Sequence, residues 1–202
     1  MIEAKIDKEE IEKLRAFFNA TQKQLDNAIY YTLKSTAQWL KSQLIKGTAK
    51  ESRIQQKPLT EKTSKGTSRF WSEVDKKEQS ARLWFGTRRI SLARLNPKQY
   101  GKKTKGRKKR GKASKAGVSA GVGGSIFREG AFLMPIRKKD GSAAIVPYQV
   151  MKRVGRERLP LEKQVFDYSD KAVAIEEKLR TQVPQKLTDI LRSKLKWQTE
   201  KN

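Results

Sequence analysis

The sequence predicts an α+β protein: N-terminal helices and a C-terminal helix pack on a small antiparallel sheet that carries a long basic loop. Apolar residues recur at helical spacing near both ends of the chain, and they alternate with polar residues in the middle. Turn signals separate the alternating stretches, as is typical of antiparallel strands. Because helices and strands occupy separate parts of the chain, we expect them to form separate layers.

Residues 1–47 are predicted to be helical. Asp7 with Glu10, and Thr21 with Gln24, show the spacing of a helix-capping pair. We expect the second helix to stop near Gly47. The sequence does not decide whether these are two helices or one bent helix. The apolar stripes that predict them consist of Ile11, Leu14, Phe17 and Phe18, then Leu25, Ile29, Leu33, Leu40 and Leu44, widened by Trp39 and Ile45.

Residues 48–79 are predicted to be a polar, irregular segment with one short helix around residues 51–56. Phe70 and Trp71 are large apolar residues in this polar setting. Either they attach the segment to the core or they dock a neighbouring subunit.

Residues 80–165 are predicted to form the sheet region. Alternation over residues 81–85 and 90–92, with a turn at Gly86–Thr87, predicts a strand pair. Strand character returns at 126–127 and 131–134, and Lys139–Gly141 predicts a hairpin turn before a return strand over residues 144–151. Pro135 and Pro147 suit edge or bulge positions and not a central strand. Together these segments predict one antiparallel sheet of about four strands.

A basic loop over residues 98–124 is predicted to join two pieces of that sheet, with the glycines of Gly117–Gly124 as a flexible hinge. From Gly101 to Gly124 it contains no acidic residue, and it cannot fold alone because it buries no apolar surface. Such charge density predicts a polyanionic partner, although a solvated loop with no dedicated partner is the alternative. The candidate polyanion-binding residues are Lys98, Lys102, Lys103, Lys105, Arg107, Lys108, Lys109, Arg110, Lys112 and Lys115.

Residues 166–202 are predicted to be a C-terminal helix that begins at Ser169–Asp170. Pro184 interrupts its donor pattern, so we expect either a kink or two helices that meet there. The apolar residues of this segment are Ala174, Leu179, Val183, Leu187, Leu191 and Leu195.

The composition fits one domain with extensions. Of the 202 residues, 36% are hydrophobic and 34% are charged, so the core must be modest. The net charge is +26. A chain of this charge repels itself, and we expect an anionic partner or a neighbouring subunit to compensate.

Composition and motifs disfavour an enzyme. The chain has no Cys and no His, so it lacks thiol chemistry and the commonest metal ligand and general base. Gly106–Ala113 nearly matches a phosphate-binding loop, but Ala113 replaces the hydroxyl that would hold magnesium. We therefore expect no catalytic residues, no metal and no cofactor. No apolar run is long enough for a bilayer and the start is unlike a signal peptide, so we expect a soluble protein made in a cytoplasm.

The layout of the second half resembles the minor tail protein Z family of tailed bacteriophages. The resemblance covers about residues 83–196. It consists of Arg88–Arg94, the Lys/Arg run with its glycine-rich exit, Gly130-Ala131-Phe132, Val150–Gly155, and Arg158 with Leu159-Pro160. Within these segments the structural motif positions are Gly130, Ala131, Phe132, Arg153, Gly155 and Pro160.

The resemblance implies a structural tail-completion protein of the virion, present in the host cytoplasm during assembly and acting at the head-proximal end of the tail or the neck. It implies a homo-oligomer, a hexameric ring, with tail terminator, tail tube or head-connector proteins as partners, and DNA as a further partner. Six loops would bring on the order of sixty positive charges against about twenty phosphates per duplex turn. We therefore expect the loops to be shared between DNA and acidic protein surfaces. The charge alone equally predicts a sequence-nonspecific nucleic-acid-binding protein of ribosomal or nucleoid type.

Overall fold

A computed structural model describes residues 2–5, 8–61, 68–101, 116–136, 148–155 and 159–200. It confirms the α+β class, with helices and several small antiparallel sheets. The helices are α1 (Lys8–Phe18), α2 (Gln22–Ser52), α3 (Lys57–Thr60), α4 (Ser169–Arg180) and α5 (Val183–Glu200). The strands are β1 (Ile2–Lys5), β2 (Phe70–Asp75), β3 (Ser80–Phe85), β4 (Ile90–Ser91), β5 (Lys98–Tyr100), β6 (Gly117–Ala120), β7 (Ile126–Glu129), β8 (Ala131–Pro135), β9 (Tyr148–Arg153), β10 (Leu161–Lys163) and β11 (Val165–Phe166).

The described residues form two compact units. The first lies within residues 1–48, 59–87 and 170–202, and it holds α1, most of α2, α5, nearly all of α4 and the three-stranded sheet β1-β3-β2. The second lies within residues 49–58 and 88–169. It holds the three-stranded sheets β5-β6-β7 and β10-β9-β8 and the pair β11-β4. The expectation of one sheet is therefore wrong, because the strands of the described residues divide among four sheets of two or three strands each.

Helices α1 and α2 are separate, and the chain between them turns through Asn19 in a left-handed conformation (φ 49°). The predicted capping pair at the start of α2 is present. The Gln24 side chain accepts a hydrogen bond from the Thr21 backbone N–H at 2.8 Å, and the Thr21 hydroxyl accepts one from the Gln24 N–H at 3.4 Å. The predicted stripe of α2 is buried, with Leu33 and Leu44 fully inaccessible to solvent.

Two predictions for the N-terminal region are wrong. Phe17 is 79% exposed. It follows Ile11 by six residues, which turns its side chain about 120° away from the buried stripe at about 100° per residue. The second error is β1, which pairs with β3 in antiparallel register, Ile2 opposite Leu83. That pairing joins positions far apart in sequence, so local periodicity carries no sign of it.

Gly47 does not end α2, which continues to Ser52. A Cβ at Gly47 would lie 2.8 Å from Cγ2 of Ile175 on α4. The glycine therefore lets another helix approach closely, and the helix continues despite its low helix propensity.

Gly47→Leu is expected to destabilise the protein by about 2 kcal/mol, because the larger side chain must displace Ile175. Ile175→Ala in the same chain is expected to recover part of this loss, although it is destabilising alone. Urea unfolding of the two single variants and the double variant measures this coupling. Gly47→Leu with wild-type stability would contradict the close approach.

The segment 48–79 is more ordered than predicted. It contains the end of α2, helix α3 and strand β2, and the short helix lies at Lys57–Thr60 instead of residues 51–56. Strand β3 pairs with β1 and β2, whereas Ile90–Ser91 pairs with β11, so the predicted strand pair is wrong. Consecutive residues of β2 face opposite sides: Phe70 is fully buried and Trp71 is 49% exposed.

Other predictions for the sheet region have mixed outcomes. Strands β8 and β9 pair antiparallel, as predicted, and Pro135 lies on the edge strand β8. The turn Lys139–Gly141, the residues 144–146 and Pro147 lie outside the described residues. The expected hinge at Gly117–Gly124 is wrong, because it contains strand β6 and a 3-10 turn over Val122–Gly124. Val118 and Ala120 are buried in β6 and hold it in place.

The C-terminal region forms two helices, with Pro184 the second residue of α5. Leu179, Val183, Leu187, Leu191 and Leu195 are buried as predicted. Ala174 is exposed, and Ala172 is buried instead. The carboxylate at the start of α4 is Asp167, which accepts hydrogen bonds from the Ser169 N–H at 3.0 Å and the Ser169 hydroxyl at 2.6 Å.

The hydrogen bond from the Ser169 hydroxyl, together with the Ser169 N–H and the Arg89 guanidinium, lowers the pKa of Asp167 from 3.8 to about 2. A carboxyl whose pKa is lower in the folded state stabilises the protein above its unfolded pKa and loses that effect as the pH falls. We therefore expect the stability difference between the wild type and Asp167→Asn to be present above pH 3.8 and to shrink toward pH 2. Urea unfolding across this range measures it, and a difference that does not change with pH would contradict the assignment.

Candidate nucleic-acid interface

The structure describes one of the ten candidate polyanion-binding residues, Lys98, which lies exposed on β5. The other nine all fall within residues 102–115, outside the described residues. They are Lys102, Lys103, Lys105, Arg107, Lys108, Lys109, Arg110, Lys112 and Lys115.

The residues that flank this basic segment are in contact with each other. The Cα of Ala116 lies 2.7 Å from the position that a Cβ on Gly101 would occupy. Strands β5 and β6 pair next to this contact, with Tyr100 opposite Gly117 and Lys98 opposite Ser119. The basic segment therefore leaves and re-enters the described structure at one point, the end of a paired β-hairpin.

One face of the sheet β5-β6-β7 carries polar and aromatic side chains. Residues directly opposite each other in antiparallel strands project from the same face. By this register Lys98 and Tyr100 share a face with Ser119 of β6 and with two residues of β7, Phe127 opposite Ser119 and the exposed Glu129 opposite Gly117. Tyr100 is 49% exposed and Phe127 is 40% exposed. We call Lys98, Tyr100, Ser119 and Phe127 the β5-β7 face.

Gly117 makes room for an aromatic ring on this face. A Cβ at Gly117 would lie 2.7 Å from Cζ of Phe127 and 2.5 Å from the carbonyl oxygen of Arg128. Any side chain at this position would displace the Phe127 ring or the β7 backbone. Gly117 therefore allows Phe127 to lie across the central strand, toward the side where Tyr100 stands.

A cleft of about 370 Å³ opens beside Lys98 and Ser119. It is lined by Gln55, Asn96, Lys98, Tyr100, Ser119, Ala120 and Gly121–Gly124, and none of these residues is acidic. The Gly121 N–H donates to the Leu95 carbonyl at 2.8 Å, and the Val122 N–H donates to the Arg53 carbonyl at 2.8 Å. Gly121 has φ 82°, a conformation that favours glycine. Two strong backbone hydrogen bonds thus fix one wall of the cleft.

The structural motif residues from the resemblance lie around the sheet β10-β9-β8. Gly130 (φ 72°) connects β7 to β8, and its N–H donates to the Ala116 carbonyl at 2.9 Å. Ala131 is buried, and Phe132 is opposite Met151 on β9. The remaining three positions lie at the other end of β9: Arg153 is opposite Leu161, Gly155 has φ 93°, and the Pro160 carbonyl accepts the Val154 N–H at 3.1 Å.

Sequence reasoning missed Tyr100, Ser119 and Phe127 as functional candidates. A signal was present, because Lys98 and Tyr100 alternate with Gln99, and Val118 and Ala120 alternate with Ser119. Because segment 102–115 is so highly charged, the sequence predicts one long loop that includes the residues of β5 and β6. The register that brings the three side chains onto one face follows only from the pairing.

The described residues contain no group of three or more His, Cys, Asp or Glu side chains arranged to hold a metal ion. In the same part of the chain, no helix is long and apolar enough to cross a membrane. Comparison with family models, with curated proteins and with solved structures finds no match for this chain.

Proposed function

We propose that this chain is a structural tail-completion protein of a tailed bacteriophage, which acts at the head-proximal end of the tail as a homo-oligomer. The proposal rests on the resemblance of residues 83–196 to the minor tail protein Z family. It describes an interaction protein of the virion without catalytic activity, which assembles in the host cytoplasm.

The single observation that carries an assembly role is the way the basic segment is attached. Its nine Lys and Arg residues lie in sequence between Gly101 and Ala116, which touch at the end of a paired hairpin. A cationic segment fixed at both ends by a sheet is suited to meet an anionic surface at a defined place. In a neck, DNA and the acidic surfaces of adjoining tail terminator, tail tube or head-connector proteins would supply that charge.

A partly exposed aromatic pair also supports a protein partner. Trp71 of the edge strand β2 stacks on Trp84 of β3, with ring centroids 4.5 Å apart and an interplanar angle of 18°. Trp71 is 49% exposed. Partly exposed tryptophans on an edge strand are common in protein interfaces, where a subunit covers the rings. We assign this pair to contact between subunits of the oligomer.

A second candidate function is sequence-nonspecific nucleic-acid binding of ribosomal or nucleoid type. The β5-β7 face favours this second function. Bases of nucleic acids stack on exposed aromatic side chains that lie close to basic ones, and here Tyr100 and Phe127 lie on the same face as Lys98. The two candidates differ in what remains bound when nucleic acid is removed.

Affinity capture of the tagged full-length chain from cells that make it separates the two functions. Extracts are treated with nuclease and washed at high salt, and the retained proteins are identified by mass spectrometry. We expect tail terminator, tail tube or head-connector proteins to be retained. Capture of ribosomal proteins alone, or of nuclease-sensitive material alone, would overturn the tail-completion proposal in favour of the second function.

Trp71→Ala tests whether the tryptophan pair forms the contact between subunits of the oligomer. Sedimentation of the purified chain is expected to show a multimer for the wild type and a smaller species for Trp71→Ala. Phe17→Ala, which removes an exposed aromatic ring from α1, serves as the control and is expected to leave the mass unchanged. Identical masses for Trp71→Ala and the wild type would exclude the tryptophan pair as the subunit contact.

A further inference from the structure

Ser119 is an unusual residue at the edge of the cleft. The residue as a whole is only 7% exposed, and its hydroxyl has no hydrogen-bond partner among the described residues. The hydroxyl oxygen lies 3.3 Å from the position that a Cβ on Gly124 would occupy, so it is directed toward the glycine wall of the cleft. The hydroxyl oxygen is open to the cleft, so a ligand bound there can form a hydrogen bond with it.

The groups around Ser119 are donors. Lys98 is directly opposite on β5 and contributes a positive charge, and Tyr100, Gln55 and Asn96 contribute a hydroxyl and two amides. The lining includes no carboxylate. A cleft with one cation, several neutral donors and no acid selects a compact anion that accepts many hydrogen bonds.

We propose that this cleft binds a phosphate group of a nucleic-acid strand. The Lys98 ammonium and the Ser119 hydroxyl contact the phosphate oxygens, and the glycine wall allows the strand to approach closely. Phosphate fits the donor set, and a strand fits the neighbouring sequence, where nine Lys and Arg residues follow Tyr100 without any acidic residue.

The β5-β7 face explains why the phosphate belongs to a strand. Tyr100 lines the cleft and is also 49% exposed, so a base attached to the bound phosphate stacks on its ring. Phe127 is 40% exposed on the same face and provides a second ring for the next base. Stacking on Tyr and Phe needs unpaired bases, so the preferred ligand is single-stranded.

This site does not depend on the tail-completion role, because it is defined by residues of the second unit alone. If affinity capture retained none of the expected tail proteins, the proposal that the cleft binds phosphate would still stand. Conversely, an empty cleft would not alter the capture result.

The test is amide chemical-shift mapping of the full-length, isotope-labelled chain. The probes are inorganic phosphate, a six-nucleotide oligo-dT and a duplex of the same length, each in enough salt to suppress the diffuse attraction of the basic segment. Sodium chloride at matched ionic strength controls for screening. The variants are Lys98→Gln, Ser119→Ala and Tyr100→Leu, with Lys163→Gln on β10 as the matched control for loss of one exposed cation.

We expect saturable shifts at Ser119 and Gly121–Gly124 with phosphate, and tighter binding of oligo-dT than of either phosphate or duplex. Lys98→Gln is expected to weaken both phosphate and oligo-dT about tenfold, and Ser119→Ala about fivefold. Tyr100→Leu is expected to weaken oligo-dT about tenfold and to leave phosphate nearly unchanged. Lys163→Gln should match the wild type.

Three results would overturn the proposal. Shifts at the cleft that only follow ionic strength would mean that it holds no phosphate. Equal binding of phosphate and oligo-dT would remove the strand as the ligand and leave a site for free phosphate. Equal losses in Lys98→Gln and Lys163→Gln would show that net charge, instead of the cleft, determines binding.

Discussion

Replacement of the nine Lys and Arg residues of segment 102–115 by Ser is expected to abolish salt-dependent binding of duplex DNA while leaving the protein folded. With about six to ten phosphate contacts, the wild type should lose roughly a thousandfold or more in affinity between about 50 and 200 mM salt. The variant should bind weakly and change little with salt. Fluorescence anisotropy of a labelled duplex, titrated at several salt concentrations, gives the slope directly.

Folding should survive this change because the segment contains no apolar side chain larger than Ala. Circular dichroism and the urea midpoint are expected to match those of the wild type. In a phage that encodes the protein, the same variant should yield defective particles, and normal infectivity would argue against a role of the segment in assembly.

A control with the same loss of charge shows whether position matters. Nine exposed cations of the helices can be replaced by Gln, and we expect a much smaller change in the salt slope, because they are dispersed over four helices. Equal slopes for the two variants would mean that only the net charge of +26 attracts DNA. The residues for this control are Lys13, Lys23, Lys34, Lys46, Lys50, Lys171, Lys178, Arg192 and Lys196.

Phe70→Ala is expected to destabilise the protein by about 3–5 kcal/mol, the cost of removing a fully buried aromatic ring. Phe70 begins β2 and lies opposite Phe85 of β3, on the face that also carries the buried Leu83. Urea unfolding measures the loss, and the variant should also expose β2 to proteolysis.

Trp71→Ala is the matched comparison, one residue along the same strand and on the opposite face. It removes a larger side chain, yet it should cost only about 1 kcal/mol, mostly the stacking on Trp84. A cost for Trp71→Ala as large as that for Phe70→Ala would mean that the exposed face is part of the core, and that the tryptophan pair is not available to another subunit.

Hydrophobic periodicity predicted the helices and strands correctly where one face of the element is buried within its own compact unit. It predicted α2 and α5 with nearly all their core residues, and the pairing of β8 with β9. It failed at Phe17 and Ala174, which lie at the margins of apolar stripes. Phe17 is turned about 120° from Ile11 and is exposed, and on α4 Ala172 is buried in place of Ala174.

The candidate interface was predicted only in its charge. Lys98 and the cations of 102–115 were identified, since composition alone shows a dense positive segment. Tyr100, Ser119 and Phe127 were not, because each is an ordinary residue in its own strand. Their meeting on the β5-β7 face depends on register across three strands, and a shift of one residue would place them on opposite faces.

The sequence by itself determined the α+β class, the helices of the N-terminal and C-terminal regions, and the position of the basic segment. These follow from local periodicity and composition. Only the tertiary structure decided that Gly47 lies inside a helix, that β1 joins β3 and that the strands of the described residues divide among four sheets. Each of these depends on contact between residues far apart in sequence: Gly47 with Ile175, Ile2 with Leu83, and Ser91 with Val165. The local pattern predicts which face of a helix or strand is buried. Which other helix or strand covers that face depends on the packing of the whole unit.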